Sequence, residues 1–576
     1  MGFETNFQIK IMSLNQKNIL FLMGIGILFF FPFLGQVHLF DWDEINFAES
    51  AREMIETGDF FRVKINYEPF WEKPPFFFWL QVISMKLFGI NEFAARFPNA
   101  LLGVISLLVL YKIGKKLVSE NFGMIWSLVY LASFLPHLYF KSGIIDPFFN
   151  FFIFLSIYFL ILTLQKPTVR KRNSLVAGIF LGMAIITKGP VALLLLLLTF
   201  ITFIIIRKGK VKIPIAGVII FFLSSLAVTF IWFGYETITN SPWFIIEFVQ
   251  YQIELLTEPV AGHEQPIYYH FVVVLLGCFP MSILALPAFR KRQQEVPYDF
   301  TLWMKILFWV VMILFTIVKT KIVHYSSMSY LPLSFLAAIV LYSYSKNGDF
   351  KISKAIKITF LTIGSIFGIL LTATPILFKN HKLITPYIKD DFAVASFNSE
   401  MNWQGWEFLI GVLFLVGLVI SYRFLSQNNI SKFLKTIALA SGLTLLLYAI
   451  FVVPKIEKFS QGPAIEFYES IANEDVYVTT IGFKSYAHYF YAKVKPQNPE
   501  SGMAKVNATY KNNLADKKDF NVIDLNTEIN LWLLEGEIDK KAYFVTKITH
   551  RDHMSQYKKL ELYDTKGGFD FYSRNP

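Results

Sequence analysis

Long apolar runs are the feature that most constrains what this chain folds into. A helix needs roughly 17–25 mainly apolar residues to cross a bilayer, and runs of about that length recur up to residue 453. Hydrophobic residues make up 54% of the chain, which is far too apolar for a soluble protein of 576 residues. The sequence therefore predicts an all-α polytopic membrane protein with about thirteen transmembrane helices. The predicted spans lie near residues 18–37, 94–111, 122–140, 145–164, 174–187, 190–206, 213–235, 267–289, 301–318, 326–345, 355–377, 405–422 and 434–453.

Basic residues occupy every second loop between these spans. Such loops face the cytoplasm, which explains the formal charge of +12 without a nucleic-acid partner. The other loops then face outward, and one of them, 236–266, holds five Glu and no Lys or Arg. We expect a multi-pass protein of the bacterial inner membrane, with its N-terminus in the cytoplasm. The basic loops contain Lys112, Lys115 and Lys116; Lys166, Arg170, Lys171 and Arg172; Arg207, Lys208, Lys210 and Lys212; Arg290, Lys291 and Arg292; Lys346, Lys351, Lys354 and Lys357; and Arg423, Lys432 and Lys435.

The chain changes character after the last span. Residues 1–453 form the predicted transmembrane domain, with a first periplasmic loop over 38–93, whereas 454–576 has frequent charges and shorter apolar runs. An odd number of spans places this tail outside, so we predict a small C-terminal periplasmic α/β domain. Its predicted strands are 476–478, 520–523, 542–545 and 560–563, and its predicted helices are 463–473 and 484–492.

Acids, bases and aromatic residues are concentrated between the first two spans. Asp43 and Glu44 open an amphipathic run in which Phe47, Ala51 and Met54 share one helical face. Adjacent carboxylates at a helix start suit proton abstraction, metal binding or helix capping. The helix is expected to lie flat at the membrane interface.

A second motif follows in Glu72-Lys73-Pro74-Pro75. It holds a charge on a stiff turn, and Lys is a strong point donor to phosphate.

These motifs resemble the first periplasmic loop of the aminoarabinose transferase family. The resemblance is carried, in order, by Asp43-Glu44, the run from Arg52 to Asp59, Glu72-Lys73-Pro74-Pro75 and Arg96-Phe97-Pro98. That family belongs to the GT-C glycosyltransferases, alongside the protein mannosyltransferases. It implies a bundle of spans, interfacial helices after the first span and a cavity at the outer leaflet. The same stretch also suits a surface loop whose acids cap a helix and whose Lys binds lipid headgroups.

The resemblance implies catalytic roles for three acids. Asp43 matches the essential first acid of the pair, with Glu44 beside it. Asp146 matches a family acid at the outer start of the fourth span. An acid at a membrane edge is costly unless it is functional or paired. Both Asp43 and Asp146 also suit helix capping, the latter with Pro147 at the first helical position.

The resemblance also implies which residues contact the phosphate of the carrier lipid. Lys73 matches the Lys that binds the phosphate of a polyprenyl carrier, and Tyr325 matches a Tyr at the same phosphate. Many family members have an Arg upstream of the eighth span, but the stretch 249–252 here has no basic residue. A second phosphate ligand must therefore come from elsewhere, and His263, Lys319 and Lys321 are the candidates.

Further cavity residues are expected to be Glu72, Phe47, Phe70 and His263. Phe47 and Phe70 stand where family members often have Tyr, so hydroxyl contacts to a sugar would be lost and stacking surface would remain. A divalent metal held by His263 with Glu264 or His270 is possible from the sequence, and no other cofactor is expected.

The resemblance implies an inverting transfer of a sugar, aminoarabinose-like or another pentose or hexose, from undecaprenyl phosphate to lipid A or another envelope acceptor. A protein O-glycosyltransferase of the mannosyltransferase type is an alternative with the same fold and donor. A non-enzymatic polyprenyl-lipid transporter is the alternative of another class. It would place ionisable residues inside several spans, whereas the acids here cluster at the outer ends.

Overall fold

A computed structural model describes residues 13–70, 72–240, 242–257, 265–290, 296–346, 352–397, 401–472, 474–514 and 522–576. Most of these residues are helical. The helices up to residue 451 are α1 (Leu14–Phe30), α2 (Asp43–Thr57), α3 (Phe76–Phe88), α4 (Glu92–Leu117), α5 (Glu120–Ala132), α6 (Phe134–Tyr139), α7 (Asp146–Gln165), α8 (Arg170–Lys188), α9 (Val191–Ile206), α10 (Ile215–Asn240), α11 (Trp243–Thr257), α12 (Tyr269–Gly277), α13 (Met281–Arg290), α14 (Phe300–Ile317), α15 (Tyr330–Lys346), α16 (Lys354–Lys379), α17 (Asp391–Ser396), α18 (Leu409–Ser426) and α19 (Ile430–Phe451). A short hairpin, β1 (Lys64–Ile65) and β2 (Glu68–Pro69), follows α2.

Every predicted apolar run overlaps a helix or two consecutive helices, but α1 ends at Phe30, before the predicted end of the first span at 37. Among the described residues, eight helices are long and apolar enough to cross a membrane. A ninth crossing results if α12 and α13, which are bent by 113° at the break between them, count as one span. The other four runs correspond to α1, the α5–α6 pair, α8 and α9, which are shorter or more polar. The count of thirteen crossings stays a prediction.

Small residues allow the spans to approach closely. A Cβ added at Gly178 of α8 would lie 2.2 Å from the carbonyl oxygen of Phe221 in α10. One added at Gly182 would lie 2.8 Å from the carbonyl oxygen of Ser225. Close backbone packing of this kind replaces the hydrophobic drive that is missing between helices in lipid.

Helix α2 is enclosed on both faces. The predicted apolar face is confirmed, since Phe47, Ala51 and Met54 are buried against α3 in one apolar cluster. The opposite face is buried as well, because the C-terminal segment covers it. Arg52 makes a two-bond ion pair with Glu49 and donates to the carbonyl of Val494 at 2.7 Å. The helix therefore connects the bundle to the tail.

The tail folds as an α/β unit around a four-stranded sheet. The strands are β3 (Tyr477–Ile481), β4 (Ala542–Lys547), β5 (Glu561–Lys566) and β6 (Phe569–Arg574), in the order β3-β4-β6-β5, with β3 and β4 parallel. The helices are α20 (Val453–Glu457), α21 (Gly462–Ser470), α22 (Ala487–Tyr491), α23 (Gly502–Asn513), α24 (Val522–Glu535) and α25 (Arg551–Met554).

Three of the four predicted tail strands coincide with β3, β4 and β5. The strand predicted at 520–523 is wrong over Val522 and Ile523, which begin α24; residues 520 and 521 lie outside the described part of the chain. The buried positions Leu525, Ile529 and Leu533 recur every four residues, which is the period of a helix. Strand β6 and the helices α20, α23 and α25 were not predicted from the sequence. The domain boundary at 454 stays a prediction.

Candidate active site

A cavity of about 390 Å³ lies where the loops of the predicted outer set meet. Its walls come from the segment before and within α2, the Glu72-Lys73 turn, the start of α7, the end of α8, helix α11, the segment before α15 and the tail. We call it the central cavity. Segments far apart in sequence therefore converge on one polar site at one end of the bundle.

Two carboxylates in this cavity are each paired with a base. Asp43, the first residue of α2, lies 3.1 Å from His324 (Oδ2 to Nε2). Asp146, the first residue of α7, lies 2.5 Å from Lys188 (Oδ1 to Nζ) and 3.9 Å from His324 (Oδ2 to Nε2). His324 thus stands between the two acids. Asp43 and Asp146, which the sequence analysis selected separately, are brought together.

The charges around Asp43 decide its protonation. Burial raises the pKa of Asp43, but the hydrogen bond and charge of His324 lower it, as do the charges of Lys73 and Lys188, and the result is a pKa of about 2. The side chain keeps about a third of its surface exposed. It is therefore an accessible carboxylate at neutral pH, which is the form that accepts a proton.

Glu44 turns away from Asp43 into a buried clasp. Its carboxylate pairs with Arg96 at 2.8 Å, and both side chains are about 4% exposed. Arg96 also donates to the carbonyls of Leu34 and Val37 at 2.7 Å. The backbone N–H of Gly143 donates to the same Glu44 carboxylate. Although Glu44 borders the cavity, its bonds hold the first loop and the approach to Asp146 in place.

Lys73 has a weak partner, which leaves it open to a ligand. Its Nζ lies 3.6 Å from the Glu72 carboxylate and 5.4 Å from the centre of the Tyr251 ring. Both Glu72 and Lys73 line the central cavity. Tyr251 stands in the stretch where the resemblance led us to expect a basic residue.

A second, mostly apolar cavity of about 250 Å³ adjoins the first. It is lined by apolar residues of α7, α9 and α14, and it shares Lys73, Asp146, Lys188 and Tyr325 with the central cavity. We call it the apolar cavity. The Lys188 ammonium lies 5.0 Å from the centre of the Tyr325 ring. Two lysines and a tyrosine hydroxyl therefore stand at the junction between a polar and an apolar space.

Lys188 was missed as a site residue because a Lys at the end of a span resembles a snorkelling side chain. The sequence feature that could have identified Lys188 is the Lys188-Gly189-Pro190 turn. Gly189 has a φ of 101°, and a Cβ there would lie 2.5 Å from the Phe248 ring. Only glycine suits that turn.

The other predicted residues are distributed differently. Lys321 is buried and donates to the carbonyl of Val318 at 2.9 Å, and it lines neither cavity. Phe47 borders the central cavity but packs edge-to-face on Phe77 and Phe78. Phe70 lines a neighbouring cavity instead. His263, like Glu264, lies outside the described residues.

No group of three or more His, Cys, Asp or Glu side chains within the described ranges is arranged to hold a metal ion. The divalent metal considered from the sequence stays a hypothesis.

The tail supplies one wall of the central cavity. Lys484 lies 4.4 Å from the centre of the Trp42 ring and 5.4 Å from that of Tyr486. The backbone N–H of Tyr486 donates to Asp41 at 3.4 Å. Burial raises the pKa of Asp41, while bonds from Ser485 and Tyr486 and the charge of Lys484 oppose that shift. Sequence analysis selected neither Lys484 nor Tyr486.

Comparison with known proteins supports the fold. The family described as dolichyl-phosphate-mannose-protein mannosyltransferase matches residues 72–232. The chain is 25% identical over 421 residues to undecaprenyl phosphate-alpha-4-amino-4-deoxy-L-arabinose arabinosyl transferase of Photorhabdus laumondii, covering 70% of this chain and 75% of the relative. It is 24% identical over 431 residues to the protein of that name from Wigglesworthia glossinidia brevipalpis, covering 69% and 74%. The crystal structure of ArnT from Cupriavidus metallidurans bound to undecaprenyl phosphate superposes with a TM-score of 0.72 at 18% identity, covering 97% of this chain and 98% of that one.

These findings confirm the predicted class, a membrane-embedded glycosyltransferase of the GT-C fold. Within that class the chain is ArnT-like.

Proposed function

We propose that this chain transfers a sugar from undecaprenyl phosphate to an acceptor of the cell envelope at the outer face of the bacterial inner membrane. The observation that carries the proposal is the junction of the two cavities. Lys73, Lys188 and Tyr325 line both of them. The end of the prenyl chain next to the phosphate would lie on the apolar side, the sugar on the polar side, and the phosphate between them.

The phosphate has two cations within the same site. Lys is a point donor to phosphate oxygens, and neither lysine is fully occupied. Lys73 has one distant carboxylate partner, and Lys188 has the Asp146 carboxylate. A carrier phosphate would share Lys188 with Asp146. Lys188 would then be the second phosphate ligand, the role for which His263, Lys319 and Lys321 were the candidates from the sequence. Asp146 then orients Lys188.

The transfer itself is a single displacement with inversion. The acceptor oxygen forms a bond to the anomeric carbon. The bond from that carbon to the phosphate oxygen breaks, and its electron pair leaves with the carrier phosphate, which the lysines stabilise. Asp43 takes the proton of a hydroxyl acceptor as general base. An acceptor phosphate, as on lipid A, would need no base. Glu44 positions this machinery through its clasp with Arg96.

Carrier binding tests this proposal without knowledge of the sugar or acceptor. Undecaprenyl phosphate is titrated against the purified full chain, and binding is followed by native mass spectrometry. Lys73→Ala and Lys188→Ala should each weaken binding by about tenfold or more, because a charged hydrogen bond contributes roughly 1.5–3 kcal/mol. Lys73→Arg should retain part of the affinity. Lys319→Ala is the matched control, since that exposed lysine on the same outer segment as Tyr325 lines neither cavity. Equal affinity in all variants would refute the proposed phosphate site.

The side of the membrane follows from the alternating basic loops. A reporter that is active only in the periplasm should be active when fused after Pro454 and silent when fused within 165–173. The reverse pattern would place the cavity in the cytoplasm and overturn the assignment of the donor leaflet.

The proposed acceptors are molecules of the cell envelope: lipid A or another envelope molecule, or a polypeptide in the protein O-glycosyltransferase alternative. The protein O-glycosyltransferase alternative shares the donor site, and the transporter alternative predicts no covalent transfer. Mass spectrometry of lipid A, glycolipids and glycoproteins from a deletion strain separates the three.

A further inference from the structure

The outer edge of strand β3 is open and lines a cavity in the tail. In the four-stranded sheet β3 is an edge strand that pairs with β4 alone. The consecutive residues Val476 to Thr480 all line a cavity of about 410 Å³. Successive side chains of a strand point to opposite faces, so a cavity lined by consecutive residues faces the edge of the strand. We call this cavity the edge groove.

The backbone groups turned toward the groove follow from the register. The N–H of Tyr477 donates to the carbonyl of Lys541 at 2.9 Å, so Tyr477 and Thr479 point their backbone groups at β4. Val478 and Thr480 then point theirs into the groove. Across the described ranges no other strand pairs with this edge. An unpaired edge is a ready template for an added strand.

Apart from Lys484, the walls of the groove are neutral and can hydrogen-bond. Asn526 and Asn530 of α24 line one side, and Gln497 lines it as well. His488 also lines the groove and is 3% exposed, yet its Nδ1 has no hydrogen-bond partner among the described residues. A buried polar atom without a partner costs free energy unless a ligand or water satisfies it.

The edge groove leads to the central cavity. Lys484 and Tyr486, which follow β3 directly, line both spaces. The end of β3 therefore lies beside Asp41 and the α2 segment that carries Asp43. A chain added along β3 would reach the site of transfer.

We propose that the edge groove binds an extended polypeptide segment as an added strand, and that the acceptor is a Ser or Thr hydroxyl of that polypeptide. This inference rests on the proposed function and selects one of its acceptors. Main-chain pairing with a sheet edge gives affinity with little sequence demand. The hydroxyl oxygen bonds to the anomeric carbon, the phosphate leaves with the electron pair of the broken bond, and the proton passes to Asp43.

The charges at the mouth of the site favour a polypeptide over an anionic lipid. A cavity between the central cavity and the edge groove is lined by four acids, Glu68, Glu72, Glu247 and Glu254. Lys511 pairs with Glu68 at 2.7 Å and Lys484 also borders this cavity, but the acids outnumber the bases. A polyanionic headgroup would be repelled there, whereas a neutral extended chain would not.

A proline at the edge tests the pairing. Thr480→Pro removes an outward N–H but no bond to β4, and proline is tolerated at such edge positions. Thr480→Val keeps the N–H and the branched shape. The probe is a fluorescein-labelled peptide of about ten residues, rich in Thr, Ser and Val. It is titrated by fluorescence anisotropy against the full chain in nanodiscs. A peptide of similar length with alternate prolines is the negative probe.

Thr480→Pro should weaken peptide binding by about tenfold or more, because the donor is lost and the ring blocks the added strand. Thr480→Val should stay within about twofold of the unchanged protein. Asn526→Ala should weaken binding without touching the strand, with Asn513→Ala on exposed α23 as its control. Undecaprenyl phosphate binding in the same preparations should not change, which shows that the variants are folded.

Two results would overturn the inference. One is absence of peptide binding, or equal binding by the two Thr480 variants, while the carrier binds normally; the proposed donor site would then survive. The other is a deletion strain that loses a sugar from lipid A or a glycolipid and from no protein. Conversely, peptide binding without binding of undecaprenyl phosphate would refute the proposed donor site and still support the edge groove as a peptide site.

Discussion

The central cavity has two unlike walls. The wall from the helical bundle is charged, and its charges are paired: Asp43 with His324, Asp146 with Lys188, and Glu72 with Lys73. The wall from the tail is formed by Lys484 and Tyr486, and Lys484 lies over aromatic rings. The first wall can stabilise a leaving phosphate and take a proton. The second offers contact surface to an incoming molecule.

This difference separates the expected effects of substitution. Changes in the bundle wall should alter the rate or the binding of the donor. Changes in the tail wall should alter the binding of the acceptor and leave the chemistry intact. The predictions below test that division.

The largest effect is expected at Asp43. The N-cap of α2 is Trp42 and no side chain makes a capping bond there, so the capping role that the sequence allowed for Asp43 is wrong. Asn keeps the shape of Asp without its charge, so Asp43→Asn should fold and bind undecaprenyl phosphate normally. Loss of a general base typically costs about 10²–10⁴-fold in rate, and we expect a loss in that range. The measurement is turnover with the natural donor and acceptor at saturating concentrations.

Glu44→Gln and the double variant belong in the same experiment. If Glu44 replaced Asp43 as base, the double variant would be far slower than Asp43→Asn. The clasp with Arg96 predicts instead that Glu44→Gln acts mainly on stability. Turnover of Asp43→Asn at the unchanged rate would falsify the catalytic role of Asp43.

Sequence reasoning identified the bundle wall better than the tail wall. Asp43, Lys73, Asp146 and Tyr325 come from four distant segments, yet the structure brings all four to the cavity. Local motifs were sufficient because each residue stands at the start of a helix or in a stiff turn. Their roles stay predictions.

What the sequence could not predict depends on tertiary contacts. Lys321 and His324 are three residues apart in the segment before α15, and only the fold decides that Lys321 bonds to Val318 while His324 reaches Asp43. Lys484 has no local signal at all. It faces the cavity because α21 and α22 pack on α2 in one apolar cluster.

The next largest effect concerns the clasp that holds the bundle wall. Removing one partner of a buried ion pair costs about 3–5 kcal/mol, since the other charge is left buried and unpaired. Arg96→Leu should therefore lower the thermal midpoint of the purified protein markedly. Lys566→Leu is the control, because Lys566 and its partner Glu466 keep 54% and 40% of their side chains exposed. A similar small loss in both variants would mean that the clasp does not hold the loop.

A smaller effect is expected from His324, and it appears as a pH shift. The low pKa of Asp43, about 2, keeps the carboxylate ionised at every pH at which the enzyme would be assayed. His324→Gln removes the hydrogen bond and charge that lower this pKa most, so the pKa of Asp43 should rise. A base loses activity as the pH falls through its pKa. The acid limb of the pH–rate profile should therefore move to higher pH in His324→Gln, while His553→Gln, an exposed control, leaves it unchanged.

An unchanged profile in His324→Gln would mean that the two lysines alone set the charge at Asp43. A loss of rate that is the same at every pH would assign His324 a role in positioning without an electrostatic one.

The smallest effect is expected in the tail wall. Lys484 is exposed and lies over the Trp42 and Tyr486 rings, and a cation–π contact at an exposed site contributes roughly 0.5–1 kcal/mol. Lys484→Ala should therefore raise the KM for the acceptor by about two- to fivefold. The maximal rate and the affinity for undecaprenyl phosphate should stay the same. Lys484→Arg keeps the cation and should restore the KM, and Lys495→Ala, an exposed lysine that lines neither the central cavity nor the edge groove, should change nothing. A drop in the maximal rate, or in the affinity for undecaprenyl phosphate, would assign Lys484 to the charged bundle wall. The proposed division between a bundle wall for chemistry and a tail wall for acceptor binding would then be wrong.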